Sequence, residues 1–127
     1  MSIISLDYGA KRIGVALAKE GVKVVLPWGV IENKSRDFVL DSLKDIIVAE
    51  GIKKIIVGWP VGLSGRVGPK ARETEKFIDY LKENLDIPVE KFDERLSSRL
   101  AKTLSASRQN SPDVGAAMVI LEGYLNL

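Results

Sequence analysis

Three carboxylates stand where the chain could do chemistry. Asp7 ends an apolar run, "IISLD". Asp93, with Glu94 beside it, ends "VEKFD". Asp113 opens the apolar segment "DVGAAMVILEGYL". The sequence contains no His and no Cys. That excludes a Ser-His-Asp triad, a thiolate nucleophile and any zinc site built on nitrogen or sulfur. Acid–base work is left to Asp, Glu, Lys, Tyr or metal-bound water. A metal held only by oxygen is expected to be magnesium or manganese. Two such ions about 4 Å apart activate a water and stabilise the leaving oxygen of a phosphodiester. Asp7, Asp93 and Asp113 are therefore the candidate catalytic and metal-binding residues, with Glu94 as an additional acid.

Each acid also has a purely structural role open to it. Asp at a strand end often bonds its own turn. Asp93 and Glu94 suit a helix start, where acids complement the dipole. Ser111-Pro112-Asp113 is good helix-start chemistry. One detail favours function at Asp113. It shares a helical face with Ala116, Ala117, Ile120 and Tyr124, and a mostly apolar face that carries a carboxylate needs a partner for the charge.

Cations lie close to these acids in sequence. Lys11 and Arg12 follow Asp7; Arg95 and Arg99 follow Asp93. The loop "VGWPVGLSGRVGPKA" is glycine-rich, carries Arg66 and runs with Lys70 into a helix N-terminus, a natural anion site. It lacks the Gly-Lys-Ser/Thr ending of a phosphate-binding Walker loop. Lys11, Arg12, Arg66 and Arg95 are the candidate nucleic-acid contacts, placed where a phosphate backbone would pass the acids.

The elements that must position these residues follow from pattern. Residues 2–7 read as a buried strand, and "YGAKR" as a turn in which Gly9 is free to adopt positive φ. "IGVALA" is a second strand, and "VKVVLPWGVIE" a third, interrupted near Pro27. Short connections make these three antiparallel. A helix is predicted from Ser35 to Glu50, capped by Ser35 and ended by Gly51. "KKIIVG" reads as a central strand of a parallel sheet. Pro69 opens a second helix, "VEKFD" is the last strand, Glu94 to about Ser105 is a third helix, and Pro112 opens the fourth. The order βββαβαβαα predicts one α/β domain over residues 1–127. Its mixed sheet has three antiparallel strands, then parallel βα units, with helices on both faces. Asp7 and Asp93 would both lie at the carboxyl edge, where such sheets bind ligands.

Composition sets the class. With 127 residues, 46% hydrophobic and 28% charged, the chain suits one folded domain. No apolar run reaches the roughly 20 residues of a membrane span, and no secretory signal is visible, so a cytoplasmic location is expected. The net charge of +2 permits a nucleic-acid partner without demanding one.

Four stretches, "LDYGAKRIGVA", "IIVGWPVGLSG", "FDERLSS" and "DVGAAMVILEGYL", resemble in order the four motifs of the YqgF family, also called RuvX. They cover nearly the whole chain. The resemblance implies a ribonuclease H-like fold in a bacterial cytoplasmic nuclease that processes the 5′ end of pre-16S ribosomal RNA. An older family label is Holliday junction resolvase. Asp7 matches the family's first-strand acid, Asp93, Glu94 and Arg95 its Asp-Glu-Arg motif, and Asp113 its last-helix acid. The sequence departs from the pattern twice. The segment from Ser98 to Asp113 is shorter than in most relatives, and Ser64 stands where relatives commonly carry Asp. Three alternatives compete with a nuclease of structured or precursor rRNA. A DNA-junction resolvase would need a dimer to cut two strands symmetrically. An actin-like sugar kinase or ATPase would need a second domain. An RNA-binding ribosome-assembly factor would use the same scaffold without catalysis. A monomer or weak dimer is expected.

Overall fold

The computed structural model describes residues 1–60, 67–93 and 112–126. The described elements run β1 (Ser2–Asp7), β2 (Arg12–Lys19), β3 (Val25–Glu32), α1 (Arg36–Glu50), β4 (Ile52–Trp59), α2 (Pro69–Asn84), β5 (Val89–Asp93) and α3 (Pro112–Leu125). The helix expected over residues 94–105 lies outside the described residues. The mixed sheet forms as expected, in the order β3-β2-β1-β4-β5. β2 is antiparallel to both β1 and β3, while β4 runs parallel to β1 and β5 parallel to β4.

Local chemistry sets the helix ends. The Ser35 side chain accepts a hydrogen bond from the Phe38 N–H at 3.1 Å, and Gly51 closes α1 with a φ of 62°. Pro69 occupies the first turn of α2. β3 starts three residues later than the pattern from Val22 suggests, and its register shifts where Ala16 faces Pro27 and Val15 faces Gly29. Pro27 has no N–H to give the ladder, so the irregularity falls on this edge strand.

Strand alternation divides the core between two faces. Ile4 and Leu6 of β1, Ile13, Val15 and Leu17 of β2, and Ile55 and Val57 of β4 pack under α1 and α2. Ala16 and Ala18 of β2 and Ile56 of β4 pack under α3 with Val114, Ala117, Met118, Ile120 and Leu121. The residues that β2 offers to α3 are small, which lets that helix lie close to the sheet. Ser5, fully buried on this face, donates its hydroxyl to the Ala117 carbonyl at 2.6 Å. Among the described residues, no helix is long and apolar enough to cross a membrane.

Candidate active site

Alternation in β1 decides which helix meets Asp7. Ile3 packs with the α3 cluster and Ser5 bonds to Ala117, so Asp7, two residues on, belongs to the α3 face. Its register partner on β2 is Gly14. A Cβ at Gly14 would lie 1.8 Å from the Asp113 carbonyl oxygen and 2.3 Å from its carbonyl carbon. No side chain fits there. The bare backbone of Gly14 lets the first turn of α3 rest on the sheet beside Asp7, and so brings Asp113 to it.

The electrostatics of Asp7 record this neighbourhood. Burial pushes its carboxyl above the usual value of 3.8, the Lys70 ammonium pulls it down, and the Asp113 charge pushes it up again. Lys70 is exposed in the first turn of α2. Two contacts dock that helix at the same sheet edge. The Trp59 Nε1–H donates to the Ala71 carbonyl at 3.2 Å, and the Tyr8 ring stacks on Phe77 with centroids 4.4 Å apart.

Asp113 has a partner of its own. The Arg12 Nε donates to its Oδ2 at 3.0 Å. The Arg12 side chain is 64% exposed and that of Asp113 28%. Such a pair contributes at most about 1 kcal/mol, so other anions or cations can compete for either member.

The turn that presents Lys11 and Arg12 is fastened from β3's far end. The Asn33 side-chain amide donates to the Gly9 carbonyl at 2.9 Å, and the Asn33 N–H to the Lys11 carbonyl at 2.9 Å. Gly9 is needed here, but not for the reason the sequence suggests. It is absent from the positive-φ glycines; a Cβ would instead fall 2.4 Å from the Arg12 carbonyl oxygen. Asn33 and Gly14 were not legible as site residues, because each acts through backbone that is distant in sequence.

Asp93 takes a different position. It reaches the same carboxyl edge, paired with Trp59 on β4. Val89 of the same strand packs with the α1–α2 cluster, whereas Phe92 packs with the α3 cluster. Alternation therefore assigns Asp93 to the α1–α2 side, across the sheet from Asp7. Among the described residues, no group of three acidic side chains is placed to hold a metal ion. The structure thus gathers Asp7 with Asp113, Lys70 and Arg12, while strand alternation puts Asp93 on the other face of the same edge. Glu94, Arg95, Arg99 and residues 61–66 of the glycine loop, Arg66 among them, lie outside the described residues.

The Asp7–Asp113 pair suits a hard divalent cation. Its donors are carboxylate oxygens, its charges repel, and burial already penalises one of them. A cation between the two would offset both effects.

Comparison with known proteins bears on these residues. Residues 1–127 match the family described as "RuvX: Holliday junction resolvase". A protein of Halothermothrix orenii named "Putative pre-16S rRNA nuclease" is 38% identical, covering 99% of this chain and 95% of its own length. A protein of the same name from Bacillus licheniformis is 34% identical, covering 99% and 97%. The fold is similar to that of Thermus thermophilus RuvC, with a TM-score of 0.70, 10% identity, and 98% and 93% of the two chains covered. It is also similar to the fowlpox virus Holliday junction resolvase, with a TM-score of 0.56, 11% identity, and 99% and 98% covered.

Proposed function

Because this chain belongs to the RuvX family, we propose that it is a metal-dependent nuclease that cuts precursor 16S ribosomal RNA in the bacterial cytoplasm. The observation that carries this reading is the Asp7–Asp113 pair, seated by Gly14 at the carboxyl edge of the sheet with Lys70 and Arg12 around it. Asp7 and Asp113 would hold magnesium or manganese, which supplies an activated water and charge neutralisation for phosphodiester hydrolysis. The third acid is one member of the Asp93–Glu94 pair. The position of Asp93 across the sheet favours Glu94, so Glu94→Gln should reduce cleavage more than Asp93→Asn.

The chain's own residues then divide the work. Lys11 and Arg12, held out by the Asn33-fastened turn, take phosphates flanking the cut. Arg12 exchanges Asp113 for a phosphate when nucleic acid arrives, which frees the carboxylate at the moment it is needed. Lys70 opposes the effect of burial on the Asp7 carboxyl. Arg66 and Arg95 extend the contact surface.

Arg12→Gln should therefore weaken RNA binding and reduce its salt dependence by about one unit of slope. Thermal stability should change little, as the ion pair is exposed. An unchanged salt slope would remove Arg12 from the phosphate-contacting set.

The deciding experiment offers the purified chain a 5′-extended 16S rRNA precursor and a four-way DNA junction, with magnesium and with chelator. Magnesium-dependent cutting of the precursor is the expected result. Symmetric cutting of the junction by a dimer would favour the second reading, which rests on the family's description as a resolvase and on the RuvC-like fold. Binding without cutting would favour an assembly factor.

A further inference from the structure

Trp59 ends β4 at the same edge as Asp7. Leu6 pairs with Val57, so Trp59 stands level with Tyr8, one residue past Asp7 on the neighbouring strand. It lies toward α2, whereas Asp7 lies toward α3. A polymer that crosses this edge from one face to the other passes both residues.

The indole is held in a fixed plane. Its Nε1–H is bonded to the Ala71 carbonyl of α2 at 3.2 Å. Over the ring, 3.9 Å from its centroid, sits the Lys91 ammonium. Glu75 holds that ammonium in turn, at 3.3 Å. Lys91 is exposed and Glu75 is half-buried. Among the described residues, the cation over this ring face is a surface side chain. An exposed cation–π contact is weaker than the stacking of a nucleobase on an aromatic ring. A base can displace Lys91, and the displaced ammonium is then beside the phosphate of that same nucleotide.

The geometry points to a nucleotide platform: Trp59 stacks an unpaired base on the face that Lys91 covers, and Lys91 moves to the adjacent phosphate. The ligand class is single-stranded nucleic acid, since a paired base keeps its faces inside the duplex. The platform rests on the nuclease reading and deepens it, because it selects an unpaired strand running over the sheet edge to the acids.

The two tryptophans are Trp28 and Trp59. Trp28→Phe leaves Trp59 as the sole indole reporter with the platform intact. A fluorescently labelled uridine oligomer, its thymidine counterpart and a matched RNA duplex are titrated in chelator, with anisotropy reporting binding and indole emission reporting the platform. Quenching of Trp59 that follows anisotropy for either single strand, with the duplex bound but silent, is the expected result. Trp59→Leu should weaken single-strand binding about tenfold, and Lys91→Gln should lower the salt slope by about one. Single-strand binding with unchanged Trp59 emission, or equal quenching by the duplex, would overturn the platform and leave the nuclease reading standing. No anisotropy change with any of the three would overturn both.

Discussion

Asp7→Asn is expected to abolish detectable cleavage and to make the protein harder to unfold at neutral pH. The first effect follows from the proposed role of Asp7 at the reacting phosphate. Losing a group that acts on developing charge lowers turnover on the order of 10³-fold. RNA binding should survive, because Asp7 contributes no cation to the phosphate surface. The second effect follows from the sign of the Asp7 shift. Burial first, and then Asp113, raise its carboxyl above 3.8 in the folded state, with Lys70 opposing. A group whose pKa is raised by folding contributes stability that is fully present below its unfolded value and lost as pH rises through its folded value. At neutral pH the wild type therefore carries an ionised Asp7 that folding disfavours, and asparagine removes that penalty. The gain in Tm should be present at pH 7 and should close as pH falls toward 3.8. Magnesium should raise the Tm of the wild type and leave that of the variant unchanged, because only a folded protein with its ligand set gains stability from the ion. Calorimetry at two pH values, with and without magnesium, reads all of this. A variant less stable than wild type at pH 7 would mean that Lys70 outweighs burial at Asp7. A magnesium response equal in both proteins would place the ion elsewhere.

Gly14→Ala should damage the site without touching any side chain in it. The added methyl would overlap the Asp113 carbonyl group, and both partners are main chain, so neither can rotate away. Either β2 or the first turn of α3 must move. Overpacking of this kind costs about 1–3 kcal/mol, or roughly 3–5 °C of Tm per kcal/mol at this chain length. Cleavage measured well below the Tm should fall further than the unfolded fraction explains, because the shift separates Asp113 from Asp7. The raised pKa of Asp7 should relax downward with the loss of its acidic neighbour, observable by titrating its carboxyl resonance in spectra of wild type and variant. A variant with wild-type Tm and wild-type cleavage would show that α3 does not need this contact to place Asp113.

Some of this was legible in the chain alone, because the signals are local. The limits of β1 follow from its apolar run and the turn after Asp7. The limits of α1 follow from a Ser35 cap and a left-handed Gly51. Both depend on residues within a few positions of each other. The absence of His and Cys is likewise a property of composition, and it restricts the chemistry before any fold is known. The order of elements made the sheet topology a short deduction from chain handedness and connection length.

The site itself was decided by tertiary structure. Alternation along a strand tells which residues share a face, but not which helix covers that face. Asp7 and Asp93 end strands at one edge, yet only the packing of α3 over Ala16, Ala18 and Gly14 makes the Asp7 side the acidic one. The Arg12 guanidinium, read from sequence as a phosphate contact, rests on Asp113 because folding brings two distant segments within 3.0 Å. The glycine that matters most to the acids has no unusual φ. Its requirement comes from a helix backbone about a hundred residues away, and no pattern within β2 could express it.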